Sequence, residues 1–202
     1  MWNWHKISVT ITPTAVVAIL LFILLSDLRL LAALCLAALC HEIAHYVILR
    51  LLNGTIKDIS FTVFGAEMKI AENVGYGTEW LSVAAGPGCN LLLAALLALP
   101  GKSNEIWYLF SGAQAVLGIF NLLPICPLDG GNLLWITVAV LTEPYTADTV
   151  CRWVGFSFSL LLAALCLWLF IACGGGFPLL AAVGLLGKSL NEIGLVKGRR
   201  TR

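Results

Sequence analysis

Charge is scarce in this chain. Of 202 residues only 12 are Lys or Arg and 11 are Asp or Glu, 11% together. A soluble domain carries about 25%, so a water-facing globule is excluded. With a mean hydropathy of +0.95, the chain reads as a polytopic membrane protein with little mass outside the lipid bilayer. The net charge of +1 offers nothing to a nucleic acid. No small-residue cleavage site follows Met1-Trp-Asn-Trp-His-Lys6, so the first apolar stretch is expected to be retained. The seven cysteines (35, 40, 89, 126, 151, 166 and 173) mostly fall in apolar stretches and have no zinc-ribbon spacing. They read as small buried hydrophobes rather than as a disulfide framework.

What polarity there is gathers around His41-Glu42-Ile43-Ala44-His45. On a helix a spacing of four advances about 400° and about 6 Å, so both imidazoles lie on one face, one turn apart. That suits two ligands of a tetrahedral Zn²⁺, with Glu42 able to reach a water on the metal. The five-residue pattern alone is common in helices. Here its flanks, Leu28–Cys40 and Tyr46–Leu52, read as a transmembrane span, where an ionised Glu is expensive and ionisable residues are normally functional.

Six apolar stretches are long enough to predict spans: about 7–25, 28–52, 80–100, 105–123, 153–173 and 177–196. Six spans put both termini on one side. Placing that side in the cytosol gathers Lys6, Arg50, Lys57, Lys69, Arg152, Lys197, Arg199, Arg200 and Arg202 there and leaves Arg29 and Lys102 outside. His41 and His45 then lie in the cytosolic half of span two. Between spans two and three, Ile59, Phe61 and Val63 alternate with Ser60 and Thr62, which predicts a short β-hairpin at the cytosolic interface or a solvated connector. The expected fold is therefore an all-α polytopic membrane protein of six transmembrane helices, with a β-hairpin between helices 2 and 3.

Span three contains Gly86-Pro-Gly-Cys-Asn90, where glycine permits close backbone approach and Asn90 needs a polar partner. Span four ends in Asn121-Leu-Leu-Pro-Ile-Cys-Pro-Leu-Asp-Gly-Gly131. Pro124 and Pro127 break the helix and leave Asp129 on an interrupted segment at membrane depth, tolerated where backbone lines a cavity or is buried in protein. Two His plus a carboxylate, with water in the fourth position, make a catalytic zinc set. The remaining His is His5, and Glu67 and Glu72 lie on the polar connector, so Asp129 is the best third ligand. Its bland alternative is a cap for the helix that resumes at Asn132.

Together the His41–His45, Gly86–Asn90 and Asn121–Gly131 motifs resemble the site-2 protease family of intramembrane zinc metalloproteases, most like the stage IV sporulation protein FB branch. The resemblance covers about residues 7–196. It implies a single intramembrane metalloprotease domain over 1–202, in which His41, His45 and Asp129 hold zinc and Glu42 is the general base. It also implies cleavage in or near the transmembrane segment of a membrane-tethered protein, for example a pro-sigma or anti-sigma factor, with Asn121 positioning the substrate. Asn90 and Asn121 are both candidates for holding substrate backbone. No room is left for a PDZ domain in the 53–79 connector, and no C-terminal nucleotide-sensing domain follows in this chain. The expected location is a bacterial cytoplasmic membrane. Two rival readings are a zinc transporter, which would need more metal ligands than three His allow, and an inactive scaffold, which would be expected to lack Glu42 or Asp129. Nothing in the residues bears on oligomeric state.

Overall fold

A computed structural model of the protein describes residues 8–11, 27–62, 65–70, 74–99, 104–173 and 177–194. His5, Lys6, Glu72, Lys102, the 12–26 part of the expected first span, and Lys197, Arg199, Arg200 and Arg202 lie outside them. In chain order the elements are β1 (Ser8–Ile11), α1 (Leu28–Leu51), β2 (Ile56–Thr62), β3 (Gly65–Ile70), α2 (Tyr76–Ala98), α3 (Glu105–Asn121), α4 (Asp129–Leu141), α5 (Pro144–Cys173) and α6 (Phe177–Gly194). They fall into two compact units, Met1–Asn121 and Leu122–Arg202.

Two parts of the sequence expectation need correction. The fold is not all-α with a two-stranded hairpin: three strands form one sheet in the order β1-β2-β3. β2 and β3 pair antiparallel from Thr62↔Gly65 to Ile56↔Ile70, with an irregularity between Ile56 and Asp58. β1 adds to β2 in parallel, Ser8↔Asp58 through Ile11↔Phe61, so the chain crosses over through α1 between them, as parallel pairing requires. The start of the expected first helix is thus a strand. Val9, Thr10 and Ile11 are β-branched, and their apolar character alone did not reveal which period they follow.

Nor are six membrane-length helices found among the described residues. Among the described residues three are long and apolar enough to cross a membrane: Leu28–Leu51, Tyr76–Ala98 and Pro144–Ala172. α3 has 17 residues, about 25 Å of helix against a hydrocarbon core of about 30 Å. It stops at Asn121 because Pro124 and Pro127 follow, and the 13-residue α4 begins at Asp129. α6 carries Lys188, Asn191 and Glu192 among its 18 residues.

In the first unit α1 buries small residues, Ala33 and Ala37, along most of its length and Leu49 near its end. Ala33 and Ala37 are buried at a spacing of four and cluster with Ala113 of α3, with Leu34, Leu109, Phe110 and Leu117 packed around them. His41 continues the same stripe. Leu36, Leu39, Ile43, Tyr46 and Val47 on the other faces are exposed, a surface that suits lipid rather than water. α1 ends in a Schellman closure: Asn53 has φ 59°, Asn53 N–H donates to Arg50 O at 3.1 Å and Gly54 N–H to Leu49 O at 2.8 Å. Between α2 and α3, Ser111 Oγ donates to Ala94 O at 2.8 Å, and a Cβ on Gly118 would stand 3.2 Å from that of Asn90. Such close helix contact through small residues, with hydroxyls bonding across, is how membrane helices associate.

In the second unit Trp135 Nε1 donates to Asp148 Oδ1 at 2.7 Å, tying α4 to α5. Ser159 and Ser189 share a buried hydrogen bond of 2.9 Å between α5 and α6. The 122–128 connector folds back on the start of α4. A Cβ on Gly130 would collide with the Leu122 carbonyl, and one on Gly131 would lie 2.6 Å from the carbonyl carbon of Ile125. Ile125 is fully buried, so its backbone cannot retreat. We therefore expect Gly131→Ala to destabilise the protein by about 1–3 kcal/mol, read as a lowered Tm in detergent; an unchanged Tm would show that the connector yields.

Candidate metal centre

His41 and His45 are set by α1 one turn apart, as their spacing dictates. Their Nε2 atoms stand 3.0 Å from each other, with the rings edge-to-face at an interplanar angle of 89°. Two nitrogens on a tetrahedral zinc, each at about 2.0–2.1 Å, are about 3.3 Å apart, so the pair is within a few tenths of an ångström of ligating geometry. His41 is buried and His45 half-buried.

The orientation of His45 comes from α2. Its Nδ1 lies 2.8 Å from Ser82 O. A carbonyl can only accept, so Nδ1 carries the proton and Nε2 keeps its lone pair for a metal. Ser82 Oγ donates in return to His45 O at 3.3 Å. This is the outer-shell support that ligating histidines ordinarily have. Gly86, one turn after Ser82, completes the cradle. A Cβ there would collide with the His45 imidazole and come within 2.9 Å of His41 Cε1. Of the two glycines of the Gly-Pro-Gly segment, Gly86 serves close approach, while a Cβ on Gly88 would meet nothing within 4 Å. Ser82 was not anticipated. Its signal was the run Ser82, Gly86, Asn90, Ala94, small or polar residues every four positions on an otherwise apolar helix.

The other expected site residues are placed as follows. Glu42 is half-buried on α1, next to His41. Asn90 is wholly buried on α2. Asn121 is the last residue of α3, half-buried, with Nδ2 donating to Leu117 O at 3.1 Å. Asp129 is the first residue of α4, where a carboxylate meets the positive end of the helix dipole. The residue before it, Leu128, is the N-cap; it is extended (φ −66°, ψ 161°) and makes no side-chain cap. Gly131 and Asn132 N–H donate to Leu128 O at 3.1 and 3.2 Å. The helix thus starts at the carboxylate itself, three residues before Asn132.

Comparison with known proteins agrees with this reading of the motifs. Residues 98–165 match the model of peptidase family M50. A Mycobacterium tuberculosis protein, Rip3, whose name marks it as a zinc metalloprotease, is 31% identical over 108 residues, 48% of this chain and 27% of that protein. Stage IV sporulation protein FB of Bacillus subtilis is 30% identical over 120 residues, 56% of this chain and 42% of its own length. The chain thus spans about a quarter to two fifths of the curated relatives it matches. In fold it is similar to the site-2 protease of Methanocaldococcus jannaschii, with a TM-score of 0.68 and 18% identity, covering 100% of this chain and 98% of that one. The resemblance to the site-2 proteases is borne out as a similarity: over residues 98–165 the chain matches family M50, and over about half its length it is similar to proteins named as zinc metalloproteases or sporulation proteins.

The donor chemistry fits zinc: imidazole nitrogens with a fixed tautomer, in a cradle that admits no side chain at position 86. We expect Gly86→Ala to push the His45 ring out of line and weaken zinc binding about 10–100-fold. Zinc per chain, measured by elemental analysis against a chelator series, checks this; wild-type retention would mean that the ring tolerates displacement.

Proposed function

We propose that this protein is an intramembrane zinc metalloprotease that hydrolyses a peptide bond in or near the transmembrane segment of a membrane-tethered protein. The observation that carries the reading is the imidazole pair on a membrane-length helix, its proton fixed on the far nitrogen by Ser82 O. The family M50 match over 98–165 supports it from a different part of the chain.

In this reading His41, His45 and Asp129 hold the metal. When bound, zinc polarises the scissile carbonyl and lowers the pKa of a water towards about 7. The protein's own groups do the rest. Glu42 accepts the proton of the water that attacks the carbonyl carbon, then delivers it to the amide nitrogen as the C–N bond breaks. Asn121 holds the substrate backbone near the bond. Asn90 is a second substrate-side amide and reaches a peptide only when α2 and α3 part. A helical segment has its carbonyls occupied, so the substrate unwinds before attack. The outer edge of β3 offers backbone pairing to the extended stretch.

We place the protein in a bacterial cytoplasmic membrane. Among the described residues, three membrane-length helices no longer give the parity that set both termini in the cytosol. The orientation rests instead on Arg50, Lys57 and Lys69, which follow the histidine end of α1 and mark it as cytosolic. A pro-sigma or anti-sigma factor is the finer substrate class, supported only by similarity to a sporulation protein.

The test is cleavage of a membrane-tethered reporter by the purified protein in proteoliposomes. We expect Glu42→Gln to retain zinc and lose at least about 10²-fold in rate, and Asp129→Ala to lose both zinc and cleavage. Full activity of the Glu42 variant would remove it as base. Zinc flux without cleavage would point to a transporter instead.

A further inference from the structure

Among the described residues of the first unit, the buried polar side chains are His41, Ser82, Asn90, Ser111 and Gln114. They follow one line. Ser82 and Gly86 of α2 meet the imidazole pair. Asn90, one turn beyond Gly86, meets Gly118 of α3. Gln114 is one turn back from Gly118 on the same face, and Ser111, three residues before that, bonds Ala94 O. The surroundings beyond are apolar: Ala94 on α2, and Ala33, Ala37 and Ala113 between α1 and α3.

Ser82 and Ser111 are satisfied by the protein. The two amides are not. Asn90 is 0% and Gln114 2% exposed, yet Asn90 Oδ1, Asn90 Nδ2 and Gln114 Oε1 have no hydrogen-bond partner among the described residues. Buried amides left unmet are costly, and folded proteins meet nearly all of them. Packing alone would have placed Leu or Ala here. A direct amide–amide pair is not made in this conformation, and reaching one would take rotation of the side chains. A water, with two donors and two acceptor sites, can serve all three.

We propose that Asn90 and Gln114 frame an internal water site at the α2/α3 interface, one helical turn from the imidazole pair. Its ligand is one or two water molecules, enclosed by the first unit. The site does not depend on what reaction the histidines support. It gives Asn90 an occupant in the closed unit, and it keeps water beside the metal centre on its lipid-enclosed side.

Two measurements on the full chain test it. In bilayers, water-edited solid-state NMR reads magnetisation transferred from water to individual side-chain amides. We expect rapid transfer to Asn90 Nδ2 and to Gln114 Nε2 in the wild type. Absence of transfer, or a cross-peak only between the two amides, overturns the site. The second measurement is thermal unfolding of Asn90→Leu, Gln114→Leu and the double variant. Each single should lower Tm by about 2–4 °C, because it leaves the opposite amide and the water short of partners. The double should lose less than the sum; additive losses overturn the sharing of one water. Should any variant fail to fold, the wild-type spectrum decides alone. Neither readout uses cleavage, so a failed protease reading and a failed water site are told apart.

Discussion

The reciprocal bond between Ser82 and His45 is the interaction on which the rest of the metal centre depends. A histidine at membrane depth is useful to a metal only if its ligating nitrogen is unprotonated and aimed. The Ser82 carbonyl does both by accepting a hydrogen bond from Nδ1–H at 2.8 Å. Backbone oxygens in a helix are ordinarily too far from a neighbouring helix for this. Gly86 removes the side chain that would stand between α1 and α2, and Pro87 takes one hydrogen bond out of the α2 ladder beside it. The helix–helix distance, the tautomer and the 3.0 Å approach of the two imidazoles are therefore one constraint expressed three times.

Much of this was legible beforehand, and for physical reasons. His41 and His45 had to share a face because the helical period is near 3.6. Gly86 had to mark close backbone approach, since little else explains glycine and proline within an apolar helix. Pro124 and Pro127 had to end α3. Legibility failed where one apolar run is compatible with more than one period. Val9-Thr-Ile11 reads equally as the opening of a span, and only its partner Ile59-Ser-Phe61, some fifty residues on, makes it a strand. Ser82 was missed for a related reason. Its contribution comes from its carbonyl as much as its side chain, and a carbonyl has no signature in a sequence.

The count of spans failed for a different reason, and it bears on Asp129. Hydropathy measures composition, while spanning requires length. The stretch at 105–123 is apolar enough, but as a 17-residue helix it ends at Asn121, and the break that shortens it allows a second short helix to open with a carboxylate. Two unlike demands meet in the connector 122–128. It must be irregular, to bring Asp129 to a helix start, and it needs shelter, since irregular backbone is not tolerated against lipid; Ile125 and Leu128 are buried while Leu122 at its start is exposed. Gly130 and Gly131 reconcile them by letting α4 pack on the carbonyls of Leu122 and Ile125. Their role is thus to hide the break, and the carboxylate beside them gains the positive end of the helix dipole.

Polarity inside a membrane protein is expensive, which makes its distribution informative. In the first unit Leu36, Leu39, Ile43, Tyr46 and Val47 of α1 face outward while His41 and Ala37 face in. The helix therefore offsets the cost of its imidazoles by turning them toward α2. Helices α2 and α3 answer with polar atoms of their own rather than with hydrocarbon, from Ser82 through Asn90 to Gln114 and Ser111. Three helices that were merely packing would gain from apolar residues at Asn90 and Gln114, whose amides the described residues leave unmet. Their retention at the interface nearest the imidazoles fits a core arranged for hydration, which the proposed hydrolysis would require at a site enclosed by lipid.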